Sequence, residues 1–431
     1  MSVRNLSCDV LVIGGGAAGL SAAASAAEAG ASVLVVERER ELGGILNQCI
    51  HNGFGLHRFG EELTGPEFAN RDIVRVLASD KVDVELGCSV LSLAHDGERI
   101  DATLASEELG LAHASCGAVV LACGCRERTR GQINIAGGRP AGVFTAGSAQ
   151  KLINVDGALV GRRVVILGSG DIGLIMARRM TWEGAKVLMV CELAAEPGGL
   201  RRNISQCLDD NGIPLYLSRT VTQVFGHDRL EAVELADVDP ETMRPIPGTE
   251  QRVECDTLLL SVGLIPENEV AKTIGVEIDP ATSGPAVDES LETSVPGIFV
   301  AGNELHVHDL ADYVSEEGEQ AGRNAAAHAL GLRGEATGDV AVVKGENVGG
   351  ITPQHVTGTA DHVTIRFRPR RRIQGAQITV TSGGELVKRA RRMIVVPSEM
   401  QTVELTADDL AKVTGPIEVS CTPVGAAGKE A

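Results

Sequence analysis

Aromatic side chains are scarce, with one Trp, two Tyr and seven Phe in 431 residues. That leaves little for stacking nucleic-acid bases or for an aromatic belt at a membrane interface. Basic residues are outnumbered, 39 against 58 acidic ones, for a formal net charge of −19. A duplex binder needs a concentrated positive face, so nucleic acid is excluded as the main partner. No CxxC occurs among the ten cysteines, which argues against a zinc knuckle or a disulfide framework and points to a reducing cytoplasm. Long unbroken apolar runs are missing too. Val10 to Ala27 comes nearest, but Gly14, Gly15, Gly16 and Gly19 interrupt it and only Arg4 precedes it. Such a stretch suits a strand, turn and helix better than a signal segment or a membrane span. What is present is a globular composition, 43% hydrophobic with 52 glycines, long enough for two to four domains at about 150 residues each.

The glycines fall into a pattern that occurs twice. Residues 8–13 read as a buried strand, Ala17 to Gly30 as an alanine-rich helix and Ser32 to Val36 as a second strand ending at Glu37. Between strand and helix lies G-x-G-x-x-G at Gly14, Gly16 and Gly19, with Glu37 placed 23 positions after Gly14. In such a βαβ unit the first glycine permits the tight turn and the second lets backbone approach a pyrophosphate. The third lets helix and strand pack closely, and the acid accepts hydrogen bonds from a ribose diol. The helix N-terminus contributes unpaired N–H groups and a partial positive charge. The same order returns with strand Val164–Leu167, glycines Gly168, Gly170 and Gly173, helix Leu174–Glu183, strand Ala185–Val190 and Glu192, 24 positions after Gly168. Two complete copies imply two dinucleotides and an α/β fold with two Rossmann-like domains.

Further along, Cys255 to Pro266 reads as a buried strand ending in a Gly/Pro turn. Thr293 to Asn303 is a strand ending in Ala-Gly, and Glu316 to Leu330 is an alanine-rich helix. The two G-x-G-x-x-G units, the turn Val262–Pro266 and the segment Thr293–Gly302, in this order, resemble the two-dinucleotide-fold FAD/NAD(P)H oxidoreductases of the pyridine nucleotide-disulfide reductase superfamily, over roughly residues 8–330. The resemblance implies an FAD domain split around an inserted NAD(P) domain: 1–150, 151–256 and 257–335, followed by a tail module at 340–431. It places Gly14, Gly16, Ala17, Ala18, Gly19, Glu37, Arg38, Gly44, Ile45, Gly124, Gly302 and Asn303 at FAD. Gly168, Gly170, Asp171, Ile172, Gly173 and Glu192 go to the nicotinamide dinucleotide. The family usually carries Asp where this chain has Asn303, so a charge is lost beside the ribityl-pyrophosphate. The activity implied is hydride exchange between NAD(H) and FAD. Glu192 would repel a 2′-phosphate and so favours NAD over NADP, although Arg201 and Arg202 lie downstream.

The family's redox cysteine pair is missing. Cys49 stands alone where a pair is expected, and thiol–disulfide exchange needs a resolving partner. Cys123-Gly-Cys125 is the only close pair, and a disulfide between i and i+2 would be strained. Cys49 is either an inert thiol packed near the flavin or a thiolate supporting a single-cysteine cycle. His51, His306 and His308 are expected at the flavin or substrate. His-x-His-Asp could suggest a metal, but too few converging ligands can be named, so none is expected.

The segments 43–55, 124–131, 167–180 and 305–318 resemble, more narrowly, a bacterial subfamily encoded beside a glycerol-3-phosphate dehydrogenase-like flavoprotein and a small cysteine-rich protein. That implies an electron-transfer subunit partnered by both, with a homo-oligomer compatible. The alternatives are a self-sufficient NADH oxidase using Cys49, or a scaffold stabilised by FAD.

The tail alternates in the manner of short strands at Val363–Phe367, Ala376–Val380, Arg392–Val396 and Thr402–Leu405. Between His362 and Val396 it carries nine Arg/Lys against one acid. This basic island is either a solvated strand face or a docking surface for an acidic partner protein.

Overall fold

The computed structural model describes residues 4–334 and 336–425. Residues 1–3, 335 and 426–431, at the limits of three of the expected segments, lie outside it. Two compact units emerge, one formed by 1–125 with 266–431 and the other by 126–265. The second unit reaches beyond the expected 151–256, taking in Ala136–Gly137, Val143–Thr145 and the start of helix Ala146–Asn154 on one side and Thr257–Leu260 on the other. Val143–Thr145 pairs with Thr257–Leu260, which in turn pairs with Arg163–Leu167. Those flanking strands belong to the sheet of the second unit.

In the first unit, Val82–Glu85, Val33–Val36, Arg4–Ile13 and Gly110–Leu121 run parallel, with Ile298–Val300 beside Val119–Leu121. Val10 sits opposite Val33 and Ala118, Val12 opposite Val35 and Val120. Val10–Ile13, Val33–Val36 and Ala118–Leu121 are covered on both faces, which is why they read as continuous apolar runs and not as alternation. The returning strand, Ile298–Val300, hands the chain to Gly302 and then to helix Ala311–Ala329. That helix lies against Ala17–Glu28 closely enough that only small residues fit. A Cβ added to Gly318 would stand 2.3 Å from the Ala18 carbonyl oxygen, and one on Gly322 would stand 2.2 Å from that of Ala22. Gly318→Ala should therefore destabilise the unit by about 1–3 kcal/mol through overpacking, more than offsetting its helix-propensity gain. Gly334→Ala, with open space around its Cβ, should leave the melting temperature unmoved. Equal melting temperatures for both variants would refute the close-contact argument.

The tail is β-rich as expected, with more strands than the four read from sequence. Val340–Lys344, His355–Val356, Ile373–Ser382, Glu385–Val395 and Ile417–Pro423 form one sheet; Val348–Thr352, Val363–Pro369 and Gln401–Leu405 form another. Ile365, Phe367, Ile378, Val380, Leu405 and Val419 are buried between them. The module belongs to the same compact unit as the first nucleotide fold. The Glu289 carboxylate accepts the N–H groups of Thr357 and Thr359, and Arg368 pairs with Asp309. Much of the basic island is consumed locally, because Arg371 pairs with Glu346 and Lys388 with Asp409. Arg389, Arg391 and Met393 remain on the exposed face of Glu385–Val395.

The second unit repeats the parallel order in Val143–Thr145, Thr257–Leu260, Arg163–Leu167, Lys186–Cys191 and Leu215–Tyr216. An antiparallel sheet of Arg219–Phe225, Ala232–Asp239 and Gln251–Glu254 accompanies it. Among the described residues, no helix is long and apolar enough to cross a membrane.

Two matched glycine turns and a buried carboxylate cluster

The six motif glycines divide by what surrounds them. A Cβ on Gly14 would lie 2.4 Å from the Ala122 carbonyl oxygen, and one on Gly19 would lie 1.8 Å from that of Gly14. In the second copy, Gly168 would meet the Ser261 carbonyl oxygen at 2.0 Å and Gly173 that of Gly168 at 2.7 Å. These four are required by the fold itself. The middle glycines are not: Gly16 has no atom within 4 Å of an added Cβ, and Gly170 meets only the Ser261 hydroxyl at 3.4 Å. Both have ordinary extended backbone angles and stand directly before a helix that no side chain caps. The N–H groups of the first helical turn (Ala17, Ala18 and Gly19; Asp171, Ile172 and Gly173) are left to an outside acceptor. A pyrophosphate fits that arrangement of open space, backbone donors and dipole.

The acids are held by one scheme in both copies. Glu37 accepts from Gly15 N at 2.6 Å and from Glu39 N at 2.8 Å. Glu192 accepts from Ser169 N at 2.8 Å and from Ala194 N at 3.0 Å, with the Ser169 hydroxyl adding a third bond. Each carboxylate thereby clamps the residue between the first two glycines and its own i+2 amide, fixed at the strand end where a ribose is read.

A second pair of glycines completes each turn: Gly43-Gly44, with Gly44 expected at FAD, and Gly198-Gly199, unread in the sequence. Gly43 N donates to the Gly15 carbonyl and Gly198 N to the Ser169 hydroxyl, so Gly43-Gly44 and Gly198-Gly199 fold back over the two motifs. The signal was available: the double glycine begins six residues after the acid in both copies. The Asp171 side chain serves that second loop, accepting from Leu200 N and from Asn203 Nδ2, while its N–H stays among the first-turn donors. Arg38 is exposed, and Ile45 is 61% exposed beside Gly44.

Beyond Gly302, the Asn303 side chain is engaged within the chain. Its Oδ1 accepts from His308 N at 2.9 Å, and its Nδ2 lies 3.6 Å from Cys125 Sγ. Its side chain thus closes the loop that follows Gly302. The next residue, Glu304, was missed. It is fully buried and accepts from Cys123 N with one oxygen, while the other has no hydrogen-bond partner. Burial raises its pKa to about 8. A carboxyl raised in the folded state stabilises fully below its ordinary value and loses that contribution as pH rises through the raised one. Glu304→Gln keeps an acceptor for Cys123 N and never ionises. Its stability relative to the parent should therefore climb from about pH 5 to about pH 8, with a slope no steeper than about 1.4 kcal/mol per pH unit. Urea midpoints measured across that range check this, and a flat difference would sink it.

Cys123 and Cys125 stand as separate thiols, and burial pushes Cys123 up. Gly124 between them has φ +74 and open space at its Cβ position. Cys49 is half-buried with its thiol donating to the Ile45 carbonyl at 3.3 Å, and desolvation pushes it up to about 12. A thiol at that value is protonated at neutral pH, so the structure counts against Cys49 as a thiolate. His51 packs against Phe54 at 5.1 Å, whereas His306 and His308 stack on each other at 4.1 Å. The last two converge on Glu317, another residue unread in the sequence, with their ligand-type atoms within 4.8 Å of one another.

Comparison with known proteins agrees with this geometry. Residues 8–329 match the family described as pyridine nucleotide-disulphide oxidoreductase. An opine oxidase subunit of Agrobacterium tumefaciens is 27% identical over 318 residues, covering 68% of this chain and 61% of that protein. Hydrogen cyanide synthase subunit HcnB of Pseudomonas protegens is 25% identical over 364 residues, covering 78% and 73%. The chain thus spans about three-fifths of the length of the first of these relatives. The thioredoxin reductase of T. acidophilum superposes with a TM-score of 0.62 at 23% identity, over 75% of this chain and 99% of that one, which shows a shared fold.

Proposed function

The chain belongs to the pyridine nucleotide-disulphide oxidoreductase family, and on that premise we propose that it exchanges electrons between NAD(H) and FAD as one subunit of a larger cytoplasmic dehydrogenase. It is an FAD-dependent pyridine-nucleotide oxidoreductase. The first turn, with Gly16, Glu37 and Gly44, would hold FAD; the second, with Gly170, Glu192 and Gly199, would hold NAD(H). When bound, FAD supplies the two-electron chemistry, and the chain's own part is to bind and orient. The observation that carries this assignment is the pair of middle glycines, which no packing within the protein explains.

Three points support one component of a complex over a self-contained disulfide reductase. No CxxC is present to relay electrons to an external disulfide. Burial of Cys49 disfavours the thiolate that a single-cysteine relay or an oxygen-reducing oxidase would use. Two relatives are themselves named as subunits. The partner would be a flavoprotein dehydrogenase acting on glycerol 3-phosphate or a related hydroxy acid, together with a small cysteine-rich protein. The exposed Arg389 and Arg391 offer such a partner a basic face.

Anaerobic titration of the purified protein with NADH, and separately with NADPH, tests this. Bleaching of the flavin band by NADH in preference to NADPH is expected. A yellow protein that neither nucleotide bleaches would overturn the role given to the second turn, and preference for NADPH would transfer the discriminating role from Glu192 to Arg201 and Arg202.

A further inference from the structure

The sequence shows two metal-type donors in His306-Val307-His308 and no third. The fold supplies it in Glu317, on helix Ala311–Ala329, whose carboxylate is fully buried. His306 Nε2 lies 3.3 Å from Oε1, and His308 Nε2 lies 3.3 Å from Oε2. The side chains of His306 and His308 are 5% and 3% exposed, and one ligand atom from each of the three residues lies within 4.8 Å of the others. Among the described residues, no other group of three His, Cys, Asp or Glu converges in this way.

The hydrogen bonds around the cluster aim these donors without satisfying them. His308 Nδ1 lies 3.0 Å from the His306 carbonyl oxygen, which can only accept, so Nδ1 carries a hydrogen. In the neutral ring this leaves Nε2 as a lone pair, buried, without a hydrogen-bond partner and turned toward a carboxylate oxygen. A ring nitrogen fixed from its far side by a backbone carbonyl is how histidine metal ligands are oriented. The carboxylate is held from behind as well, by Gly302 N at 2.8 Å on Oε2 and by Arg366, of the tail strand Val363–Pro369, at 3.7 Å on Oε1. Both 3.3 Å nitrogen–oxygen distances exceed the about 2.7–2.9 Å of a charge-assisted hydrogen bond. They match the about 3.3–3.5 Å that separates neighbouring donor atoms around a tetrahedral ion with bonds of about 2.0–2.1 Å. A lone pair facing a carboxylate in a dry place costs free energy, and a cation seated between them relieves it.

We infer that His306, His308 and Glu317 form a binding site for one divalent transition-metal ion, zinc in the first instance. Two imidazoles and a carboxylate suit zinc, whereas calcium and magnesium take all-oxygen sets. Three protein ligands leave a fourth position, and the nearby Arg366 makes an anion such as hydroxide its expected occupant. The ion would tie the loop that carries Asn303 to the helix that follows it. The inference does not depend on which dinucleotide either glycine turn holds.

The test uses the full chain, stripped with a chelator and exchanged into metal-free buffer. Calorimetric titration with zinc should show one ion bound per chain. Cobalt in its place, read as a difference from the metal-free protein, should give visible absorption of tetrahedral intensity without the near-ultraviolet band of a thiolate ligand. His308→Ala and Glu317→Gln should each weaken zinc binding by at least about tenfold to a hundredfold. His355→Ala, which removes a half-exposed histidine paired with Asp339, should leave it unchanged. A parent protein that takes up no zinc at micromolar concentration would overturn the inference. So would equal zinc affinity in the parent and in folded His308→Ala, or a cobalt–thiolate band, which would put the ion on cysteine. If both ligand variants fail to fold, the stoichiometry and cobalt spectrum of the parent still decide: one tetrahedral ion free of thiolate upholds the site, and any other result removes it.

Discussion

Gly16→Val should purify as a folded, colourless protein. The glycine has φ −85 and ψ −166, which valine adopts without strain, and nothing lies within 4 Å of the added Cβ. The folding cost is then limited to exchanging glycine for a β-branched residue at a helix N-cap, about 1 kcal/mol. The cost to a pyrophosphate resting on that backbone is much larger, because the side chain fills the space the phosphate needs and the first-turn amides lose their acceptor. A fall of more than about tenfold in flavin occupancy, equivalent to at least about 1.4 kcal/mol of binding, is expected. Gly19→Val is the contrasting control. Its Cβ would collide with the Gly14 carbonyl, so it should lose the fold together with the flavin. Occupancy retained by Gly16→Val would remove the main support for the proposed function. Gly170→Val asks the same of the second copy, where a yellow protein that NADH no longer bleaches is expected.

These predictions use what was legible in the sequence. The turns could be read because each is local: strand, glycines, helix and acid fall within about 30 residues, and each glycine has a steric or ligand-facing reason. The tail could be read as β from the alternation in Val363–Phe367, which recurs as alternating burial along Val363–Pro369. Other parts of the site depend on contacts that no local pattern records. Glu304 and Cys123 are 181 positions apart, and Glu317 meets a guanidinium supplied by the tail module. A glutamate inside an acidic helix start, Glu316-Glu317-Gly318-Glu319, looks solvated in sequence. Only the helix face, turned toward Gly302 and the two histidines, shows that Glu317 is buried. The basic island misled in the opposite direction, because part of what looked like a solvent-facing patch is spent on Asp309, Glu317, Glu346 and Asp409. Gly198-Gly199 was legible but unread, since its meaning appears only when the two copies are aligned on their acids.

Glu192→Gln should relax the choice between nicotinamide dinucleotides. The carboxylate is fixed by Ser169 N, the Ser169 hydroxyl and Ala194 N, so it cannot swing away from a 2′-phosphate without abandoning three hydrogen bonds. Glutamine keeps the oxygen that Ser169 uses and places an NH2 against Ala194 N–H, a loss of about 1 kcal/mol that should not unfold the unit. What disappears is the charge. Two like charges about 4 Å apart at an effective dielectric of 20 repel by about 4 kcal/mol, and solvent exposure at the strand end reduces that severalfold. Apparent affinity for NADPH should therefore rise by about tenfold to a hundredfold, while that for NADH changes by less than about threefold, because an amide oxygen can still accept from a ribose hydroxyl. Anaerobic flavin reduction at varied nucleotide concentration gives both values. If NADPH remained as poor a reductant as before, the charge on Glu192 would not be the discriminating element. If NADH fell in parallel, the acid would be acting through the Ser169 clamp on the glycine turn and not through the ribose.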